Sequence, residues 1–194
     1  MPPKKKFSTE QIIEAAWTIA KAEGIDSMTI RKVADQLGSS IAPIYGNFSD
    51  AEELKQAVVK KVSQVGQQMI REQHTGSPFG DIGAASLQFA LEYPALFRDL
   101  AMKPNDYLQN YDQDLGTELV NHMKTDPELI GFEEQELRMI LLKMRAFQTG
   151  LTMMVVNRQL PPEFDLKRMK KLLDSVAEDV VIAAKLRKQE NGSG

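Results

Sequence analysis

His74 and His122 are the only histidines in the chain, cysteine is absent, and the two histidines lie far from the close spacing that would let them share a metal ion. Nucleophilic chemistry fares no better. The chain has no thiolate to activate, no Gly-x-Ser-x-Gly elbow and no glycine-rich phosphate loop. Adjacent carboxylates such as Glu52 and Glu53, or Glu133 and Glu134, diverge on a helix and read as solvated charge rather than as a general acid and base. The sequence therefore predicts no enzyme, no metal and no cofactor. What remains is binding chemistry, and its candidates concentrate near the N-terminus.

Lys4, Lys5 and Lys6 form a short basic arm, while acids gather later, at Glu133, Glu134 and Glu136 and from Asp106 to Asp114. Taken alone, three lysines at a terminus read as a solvated tail. The net charge of −3 and pI near 5.5 argue against a protein that coats nucleic acid indiscriminately, because that mode needs a large cationic excess. No secretory apolar segment follows Met1. The longest apolar run, Leu151 to Val156, is far too short to span a bilayer. A cytoplasmic protein without membrane partners is expected.

The elements that must position these groups are helical throughout. Ile12, Ala16, Trp17, Ile19 and Ala20 recur at three and four, giving a first helix from about Ser8 to Gly24. Thr29 can cap a second, Ile30 to Leu37, which Gly38 ends, and Ser40 a third, Ile41 to Asn47, with Pro43 in its first turn. Asp50 opens a fourth, running to about Gln73. His74 to Gly83, with three glycines and Pro78, reads as a loop before a helix over Ala84–Glu92. Pro94 opens a short helix through Ala101, and Tyr107 to Met123 reads as a more polar one. Of the last two, Glu133–Leu160 is apolar nearly all round, whereas Leu166–Lys188 has one apolar stripe opposite a face of Lys, Arg, Asp and Glu. Asn191 to Gly194 reads as a tail. No alternating strand pattern occurs, so the expected class is all-α.

Two short helices joined at Gly38, with the small Ala34 four residues before it, fit a helix-turn-helix whose second helix enters the major groove. Ile41 and Ile44 would then pack inward on Val33 and Leu37, leaving Ser40, Ala42, Pro43, Tyr45 and Asn47 outside. A plain helical hairpin is available to the same residues.

The stretch from Thr9 to Leu54 resembles the tetracycline-repressor (TetR/AcrR) family across about 45 residues: Ile12-x-x-Ala15-Ala16, Glu23-Gly24, Thr29-x-x-x-Val33-Ala34, Gly38-x-Ser40, Ile44-Tyr45-x-x-Phe48 and Glu52-Glu53-Leu54. The resemblance implies a homodimer of about nine helices per subunit. Residues 1–49 would be a helix-turn-helix DNA-binding domain, 50–189 a ligand-binding and dimerisation domain pairing through its last two helices, and 190–194 a flexible tail. It implies a sequence-specific regulator, a repressor released from a palindromic DNA operator by a small molecule. Carried over position by position, it sets Thr29 against phosphate, Arg31 at a base edge or phosphate, Tyr45 on phosphate, and Pro43 and Asn47 against the duplex. The arm Lys4 to Lys6 would follow the minor groove or nearby backbone. Three positions depart from the family: Ser39 where an apolar residue is usual, Ala51 where a phosphate-holding lysine is usual, and Gly46 where a base reader is common. Sequence choice is then expected from Arg31, Asn47, thymine-methyl contacts of Ala42 and Pro43, and DNA shape.

The C-terminal half carries less specific signals, chiefly Phe89 to Phe97, which resembles a segment of many members' ligand domains. Ten methionines suggest an adaptable interior. The expected lining of a cavity for a hydrophobic effector is Phe89, Phe97, Met102, Met123, Met144 and Phe147.

Overall fold

The computed structural model describes residues 7–103, 106–107, 115–161 and 163–192. All regular structure among them is helical. The α-helices are α1 (Thr9–Glu23), α2 (Ile30–Gln36), α3 (Ala42–Tyr45), α4 (Ala51–Glu72), α5 (Pro78–Glu92), α6 (Pro94–Phe97), α7 (Leu115–Met123), α8 (Glu134–Val156) and α9 (Leu166–Gly192). A π-helical turn, Arg98–Met102, follows α6, and a 3-10 turn, Pro127–Leu129, precedes α8.

Local chemistry sets the helix ends. Ser8 accepts a hydrogen bond from Gln11 N, and the Gln11 side chain returns one from Ser8 N, a reciprocal box that starts α1. Thr29 accepts from Lys32 N to start α2. At the far end of α2, Gly38 adopts φ 61°, Gly38 N donates to Asp35 O and Ser39 N to Ala34 O, so two terminal carbonyls are satisfied in one reversal. α8 ends by the same pair of bonds, from Arg158 N to Val155 O and Gln159 N to Met154 O, with Arg158 at φ 54°. That reversal stops α8 at Val156, short of the Leu160 expected from its apolar pattern.

α5 departs most from the sequence expectation, beginning at Pro78 rather than Ala84. Pro78 lacks an amide donor, which a first helical position does not need. Ser77 Oγ accepts from Gly80 N, and the buried Asp126, from beyond α7, accepts from Ser77 Oγ and Phe79 N (2.9 Å). Burial works to raise the Asp126 carboxyl pKa, but these bonds and one from Glu128 N outweigh it and hold it below its usual value. Of the predicted helix over Tyr107–Met123, α7 covers Leu115–Met123 and Tyr107 itself lies in a turn; residues 108–114 lie outside the described set. α9 continues through Gly192, past the start of the predicted tail.

By compactness the chain divides into two units, one of residues 1–67 with 89–109 and one of 68–88 with 110–194. The division falls inside α4 and inside α5. The first unit is built on Ile12, Ala16, Ile25, Val33, Ile44, Leu54, Val58 and Leu96. Trp17 lies in its wall, its ring 5.5 Å from that of Tyr93, which in turn meets Phe89 at 5.2 Å. The second unit packs Leu87, Val120, Met123, Leu129, Leu137, Ile140 and Leu151 from α5, α7, the 3-10 turn and α8 with Met169 and Leu173 of α9. Lys188 to Glu136 (2.7 Å) and Arg138 to Glu134 (2.9 Å) lie at its surface.

Candidate nucleic-acid interface

α2 and α3 are held by what they bury. Val33 and Ala34 on α2 and Ile44 on α3 are sealed in the first unit's core with Phe48 just beyond, as the helix-turn-helix reading requires. With those side chains inward, Thr29, Arg31, Ser40, Ala42 and Tyr45 are exposed and Pro43 half-buried. Tyr45 leaves 52% of its surface free. Among the described residues, neither Arg31 nor the Tyr45 hydroxyl is engaged by another side chain. Three other cations of this unit are answered by acids: Lys32 by Glu23, Lys61 by Glu14 and Lys55 by Glu52 (3.7 Å). Lys4, Lys5 and Lys6 lie outside the described residues.

Two expectations for α3 change. Ser40 does not cap it: the helix starts at Ala42 with Ile41 at the cap position and no side-chain cap. A cap hydroxyl serves the amides two and three residues on, and three residues after Ser40 stands Pro43, which has no amide proton. Ile41 does not pack inward either and is 47% exposed. It precedes the first turn, and Ile44 and Phe48 fill the inward positions.

Asn47 is the third surprise. Its amide nitrogen donates to Pro43 O (2.9 Å) and its amide oxygen accepts from Thr9 Oγ1 (3.1 Å), so the side chain ties the end of α3 to the first residue of α1. Loss of both bonds in Asn47→Ala is expected to cost ~1–2 kcal/mol in urea unfolding. The same variant should weaken retention of all duplexes about equally. Relaxed choice at a single base position would instead mark Asn47 as a base reader.

A charged cluster fixes the loop from which α2 departs. Asp99, buried in the π-helical turn, accepts from Asp26 N (3.3 Å) and pairs with Lys103 (2.7 Å); Lys103 also reaches Asp26 (2.9 Å), to which Tyr107 donates its hydroxyl proton (3.0 Å). Hydrogen bonds to Asp99 and then Asp26 raise the Lys103 ammonium pKa. The Lys103 bond lowers that of Asp26 against the opposing effect of partial burial. Burial, followed by the bond to Asp26, pushes the Tyr107 hydroxyl up. Gly24, at φ 94°, runs directly beneath Asp99.

Residues 12–58, which span α2, α3 and the turn between them, match the bacterial regulatory proteins, tetR family. That N-terminal stretch, about a quarter of the chain, is where its similarity to the tetR family lies. An HTH-type transcriptional regulator of Mycobacterium tuberculosis is 42% identical over 53 residues, 27% of this chain and 24% of that protein. The chain thus matches about a quarter of that relative's length. Solved structures with the same fold include a transcriptional regulator from a Rhodococcus species (18% identity, TM-score 0.64, covering 91% of this chain and 97% of that one). A second is SmeT, repressor of a Stenotrophomonas maltophilia multidrug efflux pump (16%, 0.59, 93% and 91%). A third is a TetR variant of Acinetobacter baumannii in complex with minocycline (15%, 0.54, 93% and 97%).

Two departures from the TetR-family pattern have local reasons. Ser39 replaces the apolar residue that often packs beneath the α2 reversal, and its hydroxyl donates to Ser40 O (2.8 Å). Ala51 lays its methyl group against the core of the first unit. The six residues expected to line an effector cavity divide three and three: Phe89, Phe97 and Met102 in the first unit, Met123, Met144 and Phe147 in the second. Phe89 packs on the first core; Met123 and Met144 are buried in the second, with Phe147 against it. Sequence reading missed the outward Ile41 and the Asp26–Asp99–Lys103 cluster. The exposure of Ile41 had a signal in Pro43, which delays the helix; the cluster had none.

Proposed function

We propose that this chain is a sequence-specific DNA-binding transcriptional regulator of the TetR family, a cytoplasmic homodimeric repressor released from a palindromic operator when a hydrophobic small molecule binds its C-terminal helices. The observation that carries the reading is the division of labour in α2 and α3: Val33 and Ile44 are spent on the core, while Arg31 and Tyr45 are presented outward with their polar groups available, beside the exposed Thr29 that caps α2. In this reading residues 1–49 hold the duplex and 50–189 sense and dimerise. Thr29 and Tyr45 take phosphates, Arg31 takes a base edge or phosphate, Ser40, Ala42 and Pro43 meet the groove, and Lys4 to Lys6 follow the adjacent backbone. Asn47 sets the pose of α3.

Support for dimerisation through the last two helices comes from their exposed apolar side chains, Met139, Leu142, Met153 and Met154 on α8 and Ile182 and Leu186 on α9. A face of that kind requires cover. Support for effector release is by likeness: one structure of this fold is a repressor of an efflux pump and another holds minocycline. Phe89, Phe97, Met102, Met123, Met144 and Phe147 remain the proposed effector contacts. Release would be a population shift between two spacings of the DNA-binding heads, one of which misfits successive major grooves.

The test is selection of bound sequences from a random duplex pool by the purified protein at one fixed, moderate salt concentration. Enrichment of a palindrome with half-sites one helical turn or more apart is the expected result. Weak, salt-sensitive retention without enrichment would replace this reading with that of a protein-binding helical bundle.

A further inference from the structure

Isoleucine is among the residue types most often fully buried, yet Ile41 stands 47% exposed at the entrance to α3. The core makes no demand on it, because Ile44 and Phe48 already occupy the inward positions of this segment. Ala42, next in the chain, is exposed and Pro43 is half-buried. Three consecutive side chains at the leading end of the helix thus offer carbon and no hydrogen-bonding atom. They share this short helix with the exposed Tyr45, so the apolar patch is continuous with the face assigned to the duplex.

We propose that Ile41 is a specificity-determining residue that reads the C5-methyl group of thymine in the major groove, with Ala42 and Pro43 beside it. The proposal rests on the DNA-binding reading above. Of the four bases only thymine presents a methyl group on its major-groove edge; the rest of that edge is built of hydrogen-bond donors and acceptors. An isoleucine side chain can discriminate there in one way, by burying its methyl groups against thymine's and excluding water from both. Against a base lacking that methyl it leaves a gap or desolvates a polar edge with nothing in return. The neighbouring Gly46 has no side chain to contribute, which concentrates apolar readout at the start of the helix.

The experiment runs two selections in parallel, from random duplex pools of the same design, one containing thymine and the other deoxyuridine in its place. Uracil preserves pairing and every hydrogen-bonding group and removes only the methyl. The enriched site is then measured as single thymine-to-uracil replacements against the wild-type chain and Ile41→Ala. Because Ile41 is exposed, the variant is expected to fold, and its thermal melting checks this. Wild type should lose about fourfold in affinity at the thymine that Ile41 contacts, the equivalent of one buried methyl group. Ile41→Ala should bind the thymine site about as weakly as wild type binds the uracil one, and be indifferent to the replacement there. Equal binding of thymine and uracil sites by wild type, or full retention of the difference by Ile41→Ala, overturns the assignment of Ile41 alone. Failure of both pools to enrich any site overturns the DNA-binding reading and this assignment with it, whereas enrichment from the thymine pool alone supports a methyl reader.

Discussion

Gly24→Ala is expected to destabilise the first unit by ~2–4 kcal/mol, seen as a lowered urea midpoint with an unchanged slope. Two independent costs add. Gly24 closes α1 at φ 94° and ψ 164°, a region essentially reserved for glycine. An added Cβ would also overlap Asp99 Oδ2 and come within 2.9 Å of its Cγ. The carboxylate cannot simply swing aside, since it is buried, accepts from Asp26 N and holds Lys103. Displacing it leaves a buried charge poorly paired. Gly38→Ala is the control. Gly38 also has a positive φ, 61°, but open space where its Cβ would point, so the cost there should stay near 1 kcal/mol. Equal costs at the two glycines would show that the Asp99 contact does not constrain the loop.

The contrast between those glycines explains what the sequence discloses and what it hides. Gly38 is legible because its surroundings are local: its left-handed turn, the Asp35 carbonyl that its own amide satisfies, the Ala34 carbonyl that the Ser39 amide satisfies and the cap at Thr29 lie within eleven residues. α1 and α2 were readable for the same reason, each start being written in a Ser or Thr whose partner amide is three residues away. Gly24 is legible as a helix stop, but its tight fit is not, because Asp99 arrives from a distant helix. The start of α5 shows the same limit. Three glycines and a proline read as loop, and the acceptor that makes Pro78 a helix start is Asp126, 47 residues beyond Phe79.

For the candidate site, residue type told which side chains could meet a duplex and helical phase told only roughly which ones face it. Ile44, Tyr45, Thr29 and Arg31 fall where an amphipathic reading puts them. Ile41 and Asn47 do not. Phase is reliable within a helix and fails at its ends, and α3 is only four residues long. Asn47 looked outward because its side chain is polar, but an amide in reach of a helix carbonyl and a threonine hydroxyl bonds to them instead. The effector residues were chosen by hydrophobic character alone. That property suits a packed core as well as a cavity, and the structure distributes them over two cores.

Arg31→Ala is expected to give the largest loss of DNA binding of any single exposed position, about 1–3 kcal/mol if Arg31 reads a guanine through two hydrogen bonds. Charge bookkeeping makes Arg31 stand out. Lys32, Lys55 and Lys61 each have an acidic partner, so their attraction for phosphate is already partly spent. Arg31 is the second residue of α2 and is exposed. Its substitution should leave the unfolding midpoint almost unchanged, because no described contact depends on it. Two outcomes separate its roles. Relaxed preference at one base pair with little change in salt dependence assigns Arg31 to a base edge. Uniform weakening across sequences, with the slope of log affinity against log salt reduced by about one, assigns it to a phosphate. Unaltered affinity would mean that the duplex does not lie across α2 at all, which would remove the basis for placing α3 in the groove.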